Sequence, residues 1–174
     1  MKAKKMGIFL LALSLLFIVN CKQDENIIPL HPNASLVSYH GCKTFPQGRD
    51  AGSQVSIFYA PNQDCVEYQY YGESILEIQH INAGFNCCPG EIVADIDFSG
   101  NVIVIRENET ESGCFCLCLF DVNYEIEGLM PGIYTIKFIE PYTNAQDEKL
   151  EFTVDLSRAT SGTYCVYRNH YPWN

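Results

Sequence analysis

EIVADIDFSGNVIVIR, residues 91–106, reads as two strands with a turn between them. Ile92, Ala94, Ile96 and Phe98 occupy alternate positions, and in an extended chain alternate side chains share one face. Ser99-Gly100-Asn101 predicts a three-residue loop containing glycine, after which 102–106 returns as the partner strand. The same period of two recurs along the chain. CVEYQYY at 65–71 and SILEIQHI at 74–81 flank Gly72-Glu73 as a second hairpin. IYTIKFI at 133–139, LEFTVDL at 150–156 and TYCVYR at 163–168 read as further strands, and the first strand-like run starts near residue 35. Helical periodicity is scarce. Short strands separated by turn signals predict an all-β sandwich or barrel.

A second segment sharpens this. DVNYEIEGLMPGIYTIKFIEP, residues 121–141, carries Leu129, Pro131, Gly132 and Tyr134 between two alternating runs. It resembles the strand, Leu-x-Pro-Gly-x-Tyr turn and strand of immunoglobulin- and fibronectin-like sandwiches. The resemblance implies a single sandwich domain over 35–174. It implies no activity, because that architecture serves many functions.

GCFCLCLFD, residues 113–121, raises the question of what the thiols do. Cys114, Cys116 and Cys118 are in phase with Phe120, Val122, Tyr124 and Ile126, and Phe115, Leu117 and Leu119 fill the alternate row. The expectation is a strand whose first half is buried on both sides. Same-face neighbours in a strand lie about 6.6–6.8 Å apart, whereas bridged Cβ atoms lie about 3.8 Å apart. The three cysteines should therefore bond to other elements, with Cys42, Cys65, Cys87, Cys88 and Cys165 as partners. Adjacent Cys87 and Cys88 should take different members of the row. A single tetrahedral zinc cannot gather three cysteines from one extended strand. The competing reading is a copper or zinc site built from Cys87, Cys88, Cys114, Cys116, His40 and His80, since thiolate and imidazole suit those ions. Zinc-type C-x2-C pairs and a redox-type C-x-x-C motif are both missing from the sequence, so a disulfide framework is preferred.

The first twenty residues set the compartment. Lys2, Lys4 and Lys5 precede an apolar run from Gly7 to Val19 that is short for a membrane span, the pattern of a secretory signal. Ile18-Val19-Asn20-Cys21 resembles a bacterial lipobox, with Asn20 in place of the usual small residue. Lys22-Gln23-Asp24-Glu25-Asn26 resembles the surface-export stretch of Bacteroidota lipoproteins. Together these imply a leader at 1–20, lipidation at Cys21, a tether at 21–34, and an outer-membrane anchorage that faces outward or, alternatively, toward the periplasm. Multiple acyl chains on one residue anchor stably. Setting Cys21 aside leaves eight of the nine cysteines, an even number that suits an exported disulfide framework.

The 21 acidic residues outnumber 11 basic ones, giving a net charge of −10. That balance excludes nucleic acid as a partner, because binding it rewards basic patches. Hydrolase motifs such as G-x-S-x-G and H-E-x-x-H are missing from the sequence, and no cofactor-cradling loop stands out. The expected function is non-enzymatic binding of a protein or glycan. HINAGFNCCPG at 80–90 reads as a turn-rich loop, and His80, Asn82 and Phe85 in it are candidate binding residues. Tyr68 and Tyr70, with neighbouring Tyr71, are further candidates. So are His170, Tyr171 and Trp173 in the terminal RNHYPWN, although a terminal aromatic cluster more commonly docks on the core.

Overall fold

The computed structural model describes residues 32–44, 59–72 and 74–173. The leader at 1–20, Cys21 and the tether up to residue 31 lie outside the described residues. All regular structure among the described residues is strand: β1 Asn33–Gly41, β2 Gln63–Tyr71, β3 Ile75–Asn86, β4 Ile92–Ser99, β5 Val102–Glu109, β6 Leu117–Glu127, β7 Ile133–Ile139, β8 Glu151–Asp155 and β9 Ser161–Tyr167. They form a five-stranded sheet in the order β1-β6-β3-β2-β9 and a four-stranded sheet in the order β4-β5-β7-β8. Neighbours are antiparallel except for β5 and β7, which run parallel.

Alternation fixes which side chains fill the core. Ile92, Ala94, Ile96 and Phe98 of β4 face inward while Val93, Asp95 and Asp97 face water. Leu76 and Ile78 of β3, Ile103 and Ile105 of β5, Phe120 to Ile126 on the even row of β6, and Ile136 and Phe138 of β7 meet between the sheets. Each fully buried aliphatic or aromatic side chain contributes roughly 1.5–3 kcal/mol of transfer free energy. The turn at 128–134 closes by side-chain bonds as well: Tyr134 Oη donates to the Met130 carbonyl at 2.8 Å, and buried Tyr70 Oη donates to the Leu129 carbonyl at 2.8 Å.

Three local expectations are corrected. Ser99 pairs with Val102, so the first hairpin has a two-residue loop, and Gly100 takes φ +57° at its first position, where such loops favour glycine. Residues 80–86 are strand and not loop: β3 accommodates its turn-forming Asn82 as a bulge, with φ +65°, and pairs with β6 on both sides of it. The expected burial at 114–118 also fails. β6 begins only at Leu117, and Phe115 is fully exposed at 113%. The reason is local competition. Asn86 accepts the backbone N–H of Cys114 through Oδ1 and donates to its carbonyl through Nδ2, so side-chain bonds serve Cys114, while isolated backbone bonds run from Cys87 N to the Cys116 carbonyl and from Gly113 N to the Cys88 carbonyl.

The C-terminal segment packs over the outer face of β3. Trp173 is 0% exposed, and its Nε1 donates to the Asn82 carbonyl at 2.8 Å. A Cβ at Gly84 would stand 2.8 Å from the Trp173 ring, so glycine is what lets the indole lie flat on the strand. Tyr171 Oη accepts from Leu117 N at 2.7 Å and donates to the Leu117 carbonyl. Trp173→Ala should lower unfolding free energy by about 3–5 kcal/mol, read from the urea midpoint at unchanged m-value.

Candidate functional site

Five strands carry one charged or polar residue each at the same end of the inward row. Asp64 precedes Val66 on β2, His80 follows Ile78 on β3, and Glu107 follows Ile105 on β5. Glu140 comes two residues after Phe138 and Arg168 two after Val166, just beyond β7 and β9. All five are buried. The register brings them together: Val66 opposes His80, and Asp64 opposes Val166.

The resulting network spans both sheets. His80 is 0% exposed, with Nδ1 2.7 Å from Glu107 Oε1 and Nε2 2.7 Å from Asp64 Oδ1. Tyr124 Oη donates to the same Glu107 oxygen at 2.6 Å. Arg168 donates to Asp64 Oδ2 through Nε at 2.8 Å and to Glu140 Oε2 through Nη2 at 2.6 Å, and Nη1 reaches the Glu148 carbonyl. Among the described residues, no donor reaches Glu107 Oε2 or Glu140 Oε1. The His80 ring also lies 4.7 Å from that of Phe138, which seals it from water.

These contacts set the protonation states. Burial alone would push the His80 pKa down, but the charges of Glu107 and Asp64 outweigh it and hold it well above the usual histidine range. Burial likewise opposes ionisation of Asp64, yet His80 and Arg168 hold its carboxyl below the usual range. Glu140 is pushed well up, first by burial and then by the Asp64 charge. Tyr124 is raised by burial and by Glu107.

Two clusters among the described residues have metal-ligand geometry. The Cys42, Cys87 and Cys118 sulfurs lie within 4.8 Å of one another, as do ligand atoms of Asp64, His80 and Glu140. The sulfurs are spoken for. Cys42 pairs with Cys118, Cys65 with Cys165, Cys87 with Cys116, and Cys88 with Cys114. Cys87 and Cys88 thus bridge to different members of the 114–118 row. The competing thiol–imidazole set is not assembled: Cys87, Cys88, Cys114 and Cys116 are disulfides, His40 is exposed on β1, and His80 belongs to the carboxylate network.

A groove of about 530 Å³ lies on the outer face of the five-stranded sheet, lined by Glu67, Gln69, Glu77, Gln79, Asn123 and Glu125 among others. Cross-strand register arranges these in two polar rows. Thr163, Glu67, Gln79 and Asn123 form one, and Ser161, Gln69, Glu77 and Glu125 the other. Tyr71 Oη donates to Glu77 at 3.0 Å and Tyr59 Oη to Glu67. No lining residue is basic.

The aromatic and loop candidates therefore separate. His80, Asn82 and Phe85 are buried, as are Tyr70 and Trp173, and none offers a binding surface. Asn82 instead ties the bulge down, donating to the Ala60 and Gln63 carbonyls and accepting from Lys43 at 2.8 Å. His170 bonds to Asp147 at 3.1 Å under the docked tail, and Tyr171 is 54% exposed with its hydroxyl committed to Leu117. Tyr68 alone of that set borders the groove. The network was missed because each strand was read for its apolar row. The signal was there: the inward rows of β2, β3, β5, β7 and β9 each pass from apolar residues to one charged or imidazole side chain at an end.

No family model, curated protein or solved structure matches the chain.

Two outcomes follow. Protein exported to an oxidising compartment and alkylated under denaturing conditions without reductant should take up no label at Cys42, Cys65, Cys87, Cys88, Cys114, Cys116, Cys118 or Cys165, as read by peptide mass. In chelator-treated protein, the raised His80 pKa contributes stability that is fully present below about pH 6.5, its unfolded value, and is lost as pH rises toward the folded one. Asp64 acts oppositely, its contribution being present above about pH 4 and lost as pH falls through its depressed pKa. Melting temperature should therefore fall from pH 6.5 to 9. His80→Gln should flatten that slope and cost about 3–5 kcal/mol at pH 6, because it leaves buried carboxylates uncompensated.

Proposed function

We propose that the chain is a membrane-anchored bacterial lipoprotein, acylated at Cys21, that works as a non-enzymatic binding module on an immunoglobulin- or fibronectin-like sandwich. The leader at 1–20 and the lipobox-like Ile18-Val19-Asn20-Cys21 support the anchor, and 22–26 supports display on the outer face of the outer membrane. The Tyr134 bond back to Met130 supports the sandwich type, in which a tyrosine closes a strand corner in this way.

The observation that carries the binding role is the groove on the five-stranded sheet. Amide and carboxylate side chains at fixed strand spacing present donors and acceptors from a rigid floor, so little ordering entropy is lost on binding. Such planar polar groups suit a ligand rich in hydroxyl or amide groups, a glycan or an extended peptide. The acidic lining turns away polyanions.

Gln79→Ala with Asn123→Ala removes two neighbours in one row while leaving the inward core untouched. On glycan and peptide arrays followed by calorimetry, the double variant should bind the ligand of the unmodified protein at least about ten-fold more weakly, a loss of about 1.4 kcal/mol. A ligand bound equally by both would place recognition elsewhere and refute the groove.

A further inference from the structure

The buried cluster between the sheets has the composition of a cation site. We propose that Asp64, His80 and Glu140 hold one divalent first-row transition-metal ion, of the Zn²⁺ or Mn²⁺ kind. This does not rest on the groove or on the binding role.

Ligand atoms of the three residues already lie within 4.8 Å of one another, in a fully buried setting. One imidazole with two carboxylates suits zinc, manganese or ferrous ions more than calcium or magnesium, which take oxygen alone. Each ligand is also held from behind. Glu107 Oε1 takes His80 Nδ1, so Nε2, paired with Asp64 Oδ1, can exchange that contact for the ion, the carboxylate–histidine arrangement that orients metal-bound imidazoles. Arg168 takes Asp64 through Oδ2 and Glu140 through Oε2, so the oxygens turned to the site are Asp64 Oδ1, which contacts His80 Nε2, and Glu140 Oε1. Of these, Glu140 Oε1 is buried and has no donor among the described residues. An acceptor left bare in the core costs about 1–3 kcal/mol or more, and a cation would satisfy it.

The distance adjustment is small. Two ligands about 2.1 Å from a tetrahedral ion stand about 3.4 Å apart, so loading would part His80 from Asp64 by roughly 0.7 Å. A cavity of about 300 Å³, lined by Glu140 and Arg168 together with Asp147 and Glu148, borders the cluster on one side.

The test uses the exported chain with its disulfides intact, stripped with a chelator and reloaded with Zn²⁺ or Mn²⁺. Native mass spectrometry should show one ion per chain, and the loaded protein should melt at a higher temperature than the stripped one. Glu140→Gln keeps the shape and the Arg168 contact but removes the charge, and should weaken binding measured by calorimetry at least about ten-fold. Glu107→Gln, acting through His80, should weaken it about ten-fold or more. Glu67→Gln with Glu77→Gln, in the surface groove, should leave it unchanged. Circular dichroism checks that each variant is folded. Failure of the folded parent to retain any ion overturns the proposal, as does binding that survives Glu140→Gln or disappears with the groove pair.

Discussion

His80 is held by a carboxylate at each ring nitrogen, Glu107 from one sheet and Asp64 from the other, and the packing of the sandwich is organised around that pair of contacts. Hydrophobic burial alone would let two sheets slide over one another, since it is proportional to area and has no direction. Hydrogen bonds between buried charged groups do have direction. Tyr124, Arg168 and Glu140 extend the chain of contacts, so residues on or just beyond five strands and the segment after β7 must be in register at once. Desolvating these ions costs several kcal/mol each, and the mutual attraction repays that only because the partners sit at hydrogen-bond distance. The net gain in stability is therefore small, while the penalty for a wrong register is large.

The opposite requirement is met at the other sulfur-rich part of the molecule. There β3 ends, β6 has not yet begun, and backbone pairing gives way to bonds from Asn86. Ladder bonds are scarce at 87–88 and 114–116, and the Cys87–Cys116 and Cys88–Cys114 bridges hold the two segments side by side instead. The loops they close, 29 and 26 residues apart, restrict the unfolded chain by about 3.5 kcal/mol each in the chain-entropy account. The Cys42–Cys118 bridge ties the segment after β1 to the same region. Crosslinks reinforce a few isolated backbone bonds where regular strand pairing lapses.

The period-two rows of β4, β5, β7 and β8 were legible in the sequence because each alternates cleanly between apolar and polar residues. The bridge partners of Cys87 and Cys88 were narrowed by strand geometry, but final pairing needs a register that no local pattern encodes. Residues 80–86 misled because Asn82, Gly84 and Asn86 are turn formers. Here each serves a tertiary purpose: Asn82 makes a bulge, Gly84 receives the indole, and Asn86 binds the Cys114 backbone. The network escaped notice for a related reason. A charged residue at the end of an apolar row looks like the start of a loop until its partners on other strands are known.

These features divide the outer face of the five-stranded sheet into two unlike halves. Over Gly84 the face is closed by Pro172 and Trp173, which leaves the indole fully buried. Over Glu67, Gln69, Glu77 and Gln79 it stays open and polar, and strand register fixes the spacing of its donors and acceptors. The tail covers the part of β3 that the bulge has distorted and leaves the regular part exposed. The buried network lies under the boundary between the halves: on β2 Asp64 is three residues from Glu67, on β3 His80 follows Gln79, and Arg168 stands over the Trp173 ring at 5.6 Å. The buried network and the open groove therefore share β2 and β3, whose inward rows carry Asp64 and His80 and whose outward faces carry the polar rows.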